Sequence, residues 1–531
     1  MTRRIDLAAQ HGYSMLVVIM VMLATSMLTA GAFAAVGGDI PFARASQDRK
    51  QAYAAAEAGL EYYLFQLARD NDYWTRCTTV PDIAPGVPAP VNNPHPTLRK
   101  WRDLAGTTEA KFSLELLPAN SEPACDETKP ELTMLDTNSG TFRVRSTGQS
   151  RDVRRSVVAT FRRASFLDYL YFTDFETSDP LTYTSAADRT RAATECMRYR
   201  SARAAFCNDI TFPDFDRIKG PLHTNDDLLT CGSPDFGRDI NDAIEISGPQ
   251  TNGWQAGGGA GCSGGTPDFL GTKRHPAPML AVPTSNNKLK DFASAGGRVY
   301  YGQTSIEFLA TGKMNTRSYH PTTGAVLTET EVALPGNGVI YVEPNTVRGC
   351  SGIDGPLEQD YSDPLGCAIA TVHGVYTKSM TLGSQADILI DGNLERSGDH
   401  VLGLVATNFV RIKHGVRNCP DPPGPVGPTC FVMDDVHVEA AILTLAHSFI
   451  VDNYNEGARM GNLKVDGAIA QRFRGPVGTF SSSTGLGVTG YTKDYNYDQR
   501  LRYRSPPFFL DPISAAWRII RANEQVPAPT S

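Results

Sequence analysis

No Cys-x-x-Cys pair occurs in this sequence, although it holds ten cysteines, so zinc-ribbon and thioredoxin-like readings have no support. The glycine-rich stretch at 256–265 lacks the Lys-Ser/Thr ending of a phosphate loop and reads as flexible loop. Positive charge is short as well. A net charge of −7 and a pI near 5.8 argue against a general affinity for nucleic acid or anionic lipid. A hydrophobic content of 41% is ordinary for a folded chain and excludes a disordered one, and 531 residues leave room for about three domains. Long apolar runs are missing with one exception.

That exception is Tyr13–Val36, about 24 residues without Asp, Glu, Lys, Arg or His, long enough to cross a bilayer. A short leader precedes it, with Arg3 and Arg4 as its strong cations, which favours a cytoplasmic N-terminus. A secretory signal cleaved near Ala35 is one reading of such a segment. The chain then continues as SQDRKQAYAAAEAGLEYYLFQLARD, in which Tyr53, Ala56, Leu60, Tyr63, Leu64 and Leu67 recur at helical spacing. The apolar run therefore feeds an amphipathic helix. Gly37, Gly38 and Pro41 weaken helix propagation between the two, which predicts a kink or a melted joint near Asp39.

This arrangement resembles a type IV pilin, and Gln51 to Glu61, QAYAAAEAGLE, resembles the N-terminal region of PilX-type minor pilins, which share features with a pseudopilin of type II secretion. The resemblance is strong over residues 10–70 and weaker to about 165. It implies that prepilin peptidase removes residues 1–12, cutting between Gly12 and Tyr13, and that 13–36 stays in the mature chain as a transmembrane and fibre helix. It also implies partners: other pilin subunits and the pilus assembly machinery. Major pilins of the family carry Glu at the fifth mature position, where its charge compensates a neighbour's N-terminal ammonium; here that position is Val17. An unpartnered buried ammonium costs several kcal/mol, so the resemblance implies a low-copy subunit, at a fibre tip or diluted among Glu-bearing major pilins.

The cysteines Cys77, Cys125, Cys196, Cys207, Cys231, Cys262, Cys350, Cys367, Cys419 and Cys430 all follow the apolar run, which suits an oxidising exterior. Connectivity is not legible in sequence. Nearest-neighbour pairing is the simplest expectation, with Cys419–Cys430 around PDPPGPVGPT its clearest case, and each clip would contribute about 2 to 4 kcal/mol. From Asn71 to Pro130 the chain reads as irregular, with a Pro-rich surface loop at 80–96. One strand interrupts this stretch, alternating through Phe112, Leu114 and Leu116. A hairpin follows, with Phe142 and Val144 on one strand, Val153 to Phe161 on the other and a turn at Gly148 to Asp152. Helix plus antiparallel sheet forms the head of the resembled family, so a head over 37–165, with its helix at 45–70, is expected to be complete there.

Residues 166–510 carry short strand-like runs at 338–344, 374–382, 386–394, 401–412, 440–451 and 462–470, with no long helix between them. Turn-strand units recurring at solenoid spacing predict a right-handed parallel β-helix, with loops at 250–290 and 413–435; a β-sandwich is the alternative. Residues 511–531 read as a C-terminal helix and a Pro-containing tail. The stretches at 220–234, 401–414 and 465–509 also resemble an uncharacterised domain that follows pilin-like starts in bacterial proteins, and that likeness implies no activity.

The expected class is mainly β with a long N-terminal helix. Its function would be positional: a minor pilin-like subunit in the inner membrane before assembly, with an exoplasmic head at the cell surface or on the pilus afterwards. A tethered polysaccharide-acting enzyme and a secretion pseudopilin are the alternatives. The one acid-base candidate is MDDVHVEA, where Asp435, His437 and Glu439 share a strand side beside Asp434 and could also hold a metal; a solvated outer face is the plainer reading. His223, Asn225, Asp226 and Asp227 read as turn hydrogen-bonders, and the Arg-aromatic stretches at 198–206 and 495–504 as solvated or packed faces. No catalytic residue, metal or cofactor is assigned.

Overall fold

The computed structural model describes the chain apart from residues 1–12, 71, 76–100, 105, 107–108, 120, 123–124, 127, 137–138, 257–264, 417–431, 482–486, 503, 513–516 and 526–531, and apart from the side chains of 13, 32–42 and 131. Gly12, the Pro-rich loop and the Cys419–Cys430 clip lie outside the described residues. The chain divides into two compact units. One comprises Met1–Leu135, Phe142–Arg162 and Trp517–Ser531, the other Asp136–Thr141 and Arg163–Ala516.

The first unit is built on one helix of 57 residues, Tyr13–Arg69. It continues through Gly37, Gly38 and Pro41, which corrects the melted joint expected near Asp39. Pro41 withholds a single N–H, and the helical turns on both sides outweigh that loss. The C-terminal half buries Ala52, Ala55, Ala56, Leu60, Tyr63 and Leu67, with Tyr53 and Leu64 half-buried at the flanks. This face covers an antiparallel sheet in which Ala110–Leu117 pairs with Thr141–Ser150, and Val153–Arg163 follows as its next strand. The expected alternation holds, with Phe112, Leu114 and Leu116 buried. The turn is tighter than expected, because Gly148 stays in the strand and only Arg151 and Asp152 reverse the chain. Gly148 is needed where it stands: a Cβ there would lie 1.9 Å from the Ala52 carbonyl oxygen, so its absence lets the helix backbone sit against the sheet.

Two expectations about the chain's end are corrected. Trp517–Gln525 is a strand, not a helix, and it adds to Val153–Arg163 as the fifth strand of this sheet. Trp517 and Ile519, two apart, both pack on the aromatic core, and a β-branched pair at 519–520 favours the extended form. The head is therefore not complete by residue 165. Its sheet is finished by residues more than three hundred positions later, as the 380-residue separation of the Arg145 Nε to Gln525 Oε1 hydrogen bond (2.8 Å) records.

The second unit is dominated by parallel pairing. One ladder places Ile340, Leu382, Leu404, Ile442, Ile469, Tyr171, Leu222 and Ile244 in consecutive register, every one of them buried. Another aligns Ile306, Val372, Ile390, Ile412 and Val451 in the same way. Like side chains stack on like at the spacing of neighbouring strands, and each contributes about 1.5 to 3 kcal/mol relative to exposure.

The order of strands along the first ladder differs from the order in the chain. From Tyr171–Ser178 it advances to Thr272–Arg274, then restarts at Arg298–Tyr301 at the opposite end and returns until Ile469 pairs with Tyr171. The last turns of the unit thus close on its first, and each covers a strand edge of the other. Two ten-residue helices, Ala186–Glu195 and Asn287–Gly296, interrupt the strands, and the 250–290 stretch contributes short strands at Trp254–Ala256, Asp268–Phe269 and Thr272–Arg274. Disulfides join Cys196 to Cys207 and Cys350 to Cys367, both nearest-neighbour pairs, and Cys125 and Cys231 are also disulfide-bonded.

Candidate functional site

Ser14–Gly31 is long and apolar enough to cross a membrane by length and composition, and none of it is buried against the rest of the chain. Val17 lies within it, 56% exposed, with Met15, Leu16, Val18 and Ile19 equally uncovered around it. A helix that leaves a full circumference of Leu, Val, Ile and Met unpartnered needs lipid or other helices around it.

The acid-base candidate is dispersed by its own ion pairs. Val436 and Val438 point inward from the strand Val436–Val438, which turns His437 outward, with Nδ1 3.2 Å from Glu395 Oε1 and Nε2 2.9 Å from Asp466 Oδ2. Asp434 and Asp435 are exposed, and Asp435 Oδ1 accepts from the Asn462 N–H at 2.7 Å. Ligand-type atoms of His437, Glu439 and Asp466 lie within 4.8 Å of one another, yet Arg396 holds Glu439 at 2.6 Å and Lys464 holds Asp466 at 2.8 Å. Burial acts to raise the Asp466 carboxyl, but hydrogen bonds from Lys464 and His437 bring it below the usual range. The sign of charge alternates onward through the Asp494–Lys219 pair at 2.7 Å. Parallel strands set neighbouring outer side chains beside each other, and alternation avoids like-charge repulsion between them.

HTNDD makes a bend with local hydrogen bonds, Asp226 N–H to Thr224 Oγ1 at 3.1 Å and Asp227 N–H to Asp226 Oδ1 at 2.9 Å, and this bend lies in the interior. His223, Asn225, Asp226 and Asp227 are all buried. Asn225 donates to Asp174 Oδ1 at 2.9 Å and to the Leu280 carbonyl at 2.8 Å, while Asp226 accepts from the Arg200 N–H at 2.7 Å and pairs with Arg203. Arg203, from the 198–206 stretch, is 1% exposed at its side chain, and Tyr495 and Tyr497 from the 495–504 stretch are core residues. Each Arg-aromatic stretch thus anchors itself by buried residues while others, among them Arg198 and Arg504, stay exposed. Sequence reading missed a second buried cation, Arg411, whose guanidinium faces Asp387, Asp452 and Asp363. The available signal was a cation between Val410 and Ile412 in an otherwise apolar strand.

No protein-family model matches the chain, and no curated protein does so. Among solved structures, the competence-associated pilin ComZ from Thermus thermophilus is similar at 12% identity over 90% of this chain and 97% of that chain, with a TM-score of 0.31. A superposition that loose leaves the functional reading to the chain's own residues.

Proposed function

We propose that the chain is a membrane-anchored, type IV pilin-like minor subunit whose enlarged exoplasmic head serves fibre assembly, adhesion or both. One observation carries this reading. A single helix supplies first an apolar span, Ser14–Gly31, and then the Ala52–Leu67 face that covers an antiparallel sheet. Continuity between the two segments ties the position of the head to the position of the span. Prepilin peptidase would remove residues 1–12 on the cytoplasmic side, and the exposed apolar side chains would then pack among other pilins. The action is positional, and no reaction is assigned to it.

For the second unit we infer a right-handed parallel β-helix. The in-register aliphatic stacks and parallel pairings support it, whereas a sandwich would require antiparallel sheets. Such a body on every subunit would crowd a helical fibre. Val17 adds an electrostatic penalty where a buried ammonium meets no carboxylate. Both features favour one or a few copies at the fibre tip. Immunogold labelling of native fibres should therefore place label at ends or at sparse sites. Dense label along the shaft, or fibres assembled from this chain alone, would show the proposal to be wrong.

A further inference from the structure

Asp179 is fully buried, and its carboxylate organises a group that neither the anchor nor the sheet requires. Its two oxygens each lie 3.0 Å from His447 Nδ1; Oδ1 also accepts from the Leu181 N–H at 2.9 Å and Oδ2 from Ser448 Oγ at 3.1 Å. Phe409 stacks on the imidazole with ring centroids 4.5 Å apart, so both the plane and the tautomer of His447 are fixed. With Nδ1 engaged, Nε2 is the atom left for a ligand.

His447 lines a cavity of about 520 Å³, open to the surface, together with Arg189, Arg472, Leu181, Met197 and Phe473. Arg189 spends its Nε on the Tyr183 carbonyl at 2.6 Å, and its terminal nitrogens hold no other partner among the described residues. Arg472 Nε faces Asp174 Oδ2 at 3.6 Å, and its guanidinium lies over the Phe175 ring at 5.7 Å, so the group is held in place in the cavity wall. Terminal guanidinium nitrogens of Arg189 without an acceptor, in the wall of an open cavity, point to a ligand that supplies one. The opposing carboxylates are set back. Asp179 is consumed by His447, and burial raises the Asp174 carboxyl above its ordinary range.

From this geometry we propose that the cavity binds a carboxylate carried on an apolar-faced body of monosaccharide size, the anion meeting Arg189, Arg472 and His447 Nε2 while Leu181, Met197 and Phe473 cover the body. Guanidinium groups pair with carboxylates through two parallel hydrogen bonds, and apolar walls with a few convergent donors are the common form of a small-ligand site. The size and charge suit a uronic acid residue of a surface polysaccharide or a free organic acid. This inference rests on the second unit alone and stands whether or not the helix enters a fibre.

The pH response follows from the groups around the ring. Burial acts to lower the His447 imidazole, but Asp179 beside Nδ1 outweighs it and holds the group above its ordinary value; Asp387 acts in the same sense and Arg472 against it. Asp179 thus favours the protonated ring, and binding should weaken as pH rises through that raised value.

Titration calorimetry on the full chain in detergent micelles tests the proposal, with glucuronate, hexanoate and glucose as probes. Glucuronate, hexanoate or both should saturate a single site at pH 6, and glucose should not. Binding should fall several-fold at pH 9. R189Q, on an exposed helix, should keep the thermal midpoint and weaken binding at least tenfold, and H447Q should remove most of the pH dependence. Saturation by glucuronate alone assigns a uronic residue, and by hexanoate alone a free organic acid. Saturation by neither, equal heats from glucose and glucuronate, or an R189Q variant that binds like the parent would overturn the proposal.

Discussion

Replacing Arg411 with Met is expected to destabilise the parallel unit by about 3 to 5 kcal/mol, because it strips the cation from a cluster of buried carboxylates. Arg411 is 1% exposed at its side chain. Its Nε lies 3.0 Å from Asp387, while its terminal nitrogens lie 3.4 Å from Asp452 and 3.8 Å from Asp363. Tyr361 donates to Asp452 at 3.1 Å and accepts from the His414 N–H at 2.9 Å, which pins the segment around 361 over the strand. Burial pushes the Asp452 carboxyl up to about 7, although Arg411 pulls against it, and burial raises Asp387 and Asp363 too.

A carboxyl whose pKa is higher folded than unfolded binds protons preferentially in the folded state. Stability therefore declines as pH climbs from about 4, the unfolded value, through about 7. Without the guanidinium this decline steepens, since nothing then opposes desolvation. Hydrogen exchange in strand 387–396 should show a gap between R411M and the parent chain that is wider at pH 8 than at pH 5, after correction for intrinsic exchange. A gap below about 1 kcal/mol, or one independent of pH, would mean the cluster is already neutral.

Trp517→Ala is expected to cost the head about 3 to 5 kcal/mol, the range for deleting a large buried aromatic. The indole stands edge-on to Phe142 at 4.7 Å between centroids and to Trp74 at 5.9 Å, and Phe142 in turn stacks on Phe161 at 5.1 Å. Removing Trp517 opens the centre of that cluster and loosens the strand that covers Val153–Arg163. Exchange in 110–117 and 141–150 should rise about a hundredfold or more, the equivalent of such a loss. No change there would mean that the final strand is dispensable to the sheet.

The parts of the fold legible in sequence are those with a local period. Helical spacing exposed the Ala56–Leu60–Tyr63–Leu67 face, two-residue alternation exposed Phe112 to Leu116, and continuous apolar runs exposed the strands at 338–344 and 401–412. What stayed hidden depends on distant partners. Nothing near residue 517 reports a sheet edge at 153–163, so a short apolar-polar run there has the local signature of a helix and only its distant partner makes it a strand. The pairing of Ile469 with Tyr171 is hidden for the same reason. Glycine and proline at 37–41 misled in the other direction, since their propensities are summed over a long helix and a few unfavourable residues do not break it. The polar interior was the least legible. HTNDD has the composition of a turn, and only the approach of Arg203, Asp174 and Leu280 makes it a buried network. His447 and Asp179, 268 positions apart, carry no joint signal in the sequence.

The apolar helix is expected to remain in the mature protein as its anchor after a twelve-residue leader is cut away. N-terminal sequencing of the protein isolated from its native membrane, backed by intact mass, tests this directly. The mature chain should begin at Tyr13 and keep Ser14–Gly31. A chain that begins near Val36 or Gly37 would have lost its span to an ordinary signal cleavage, and that result would contradict the pilin-like reading outright.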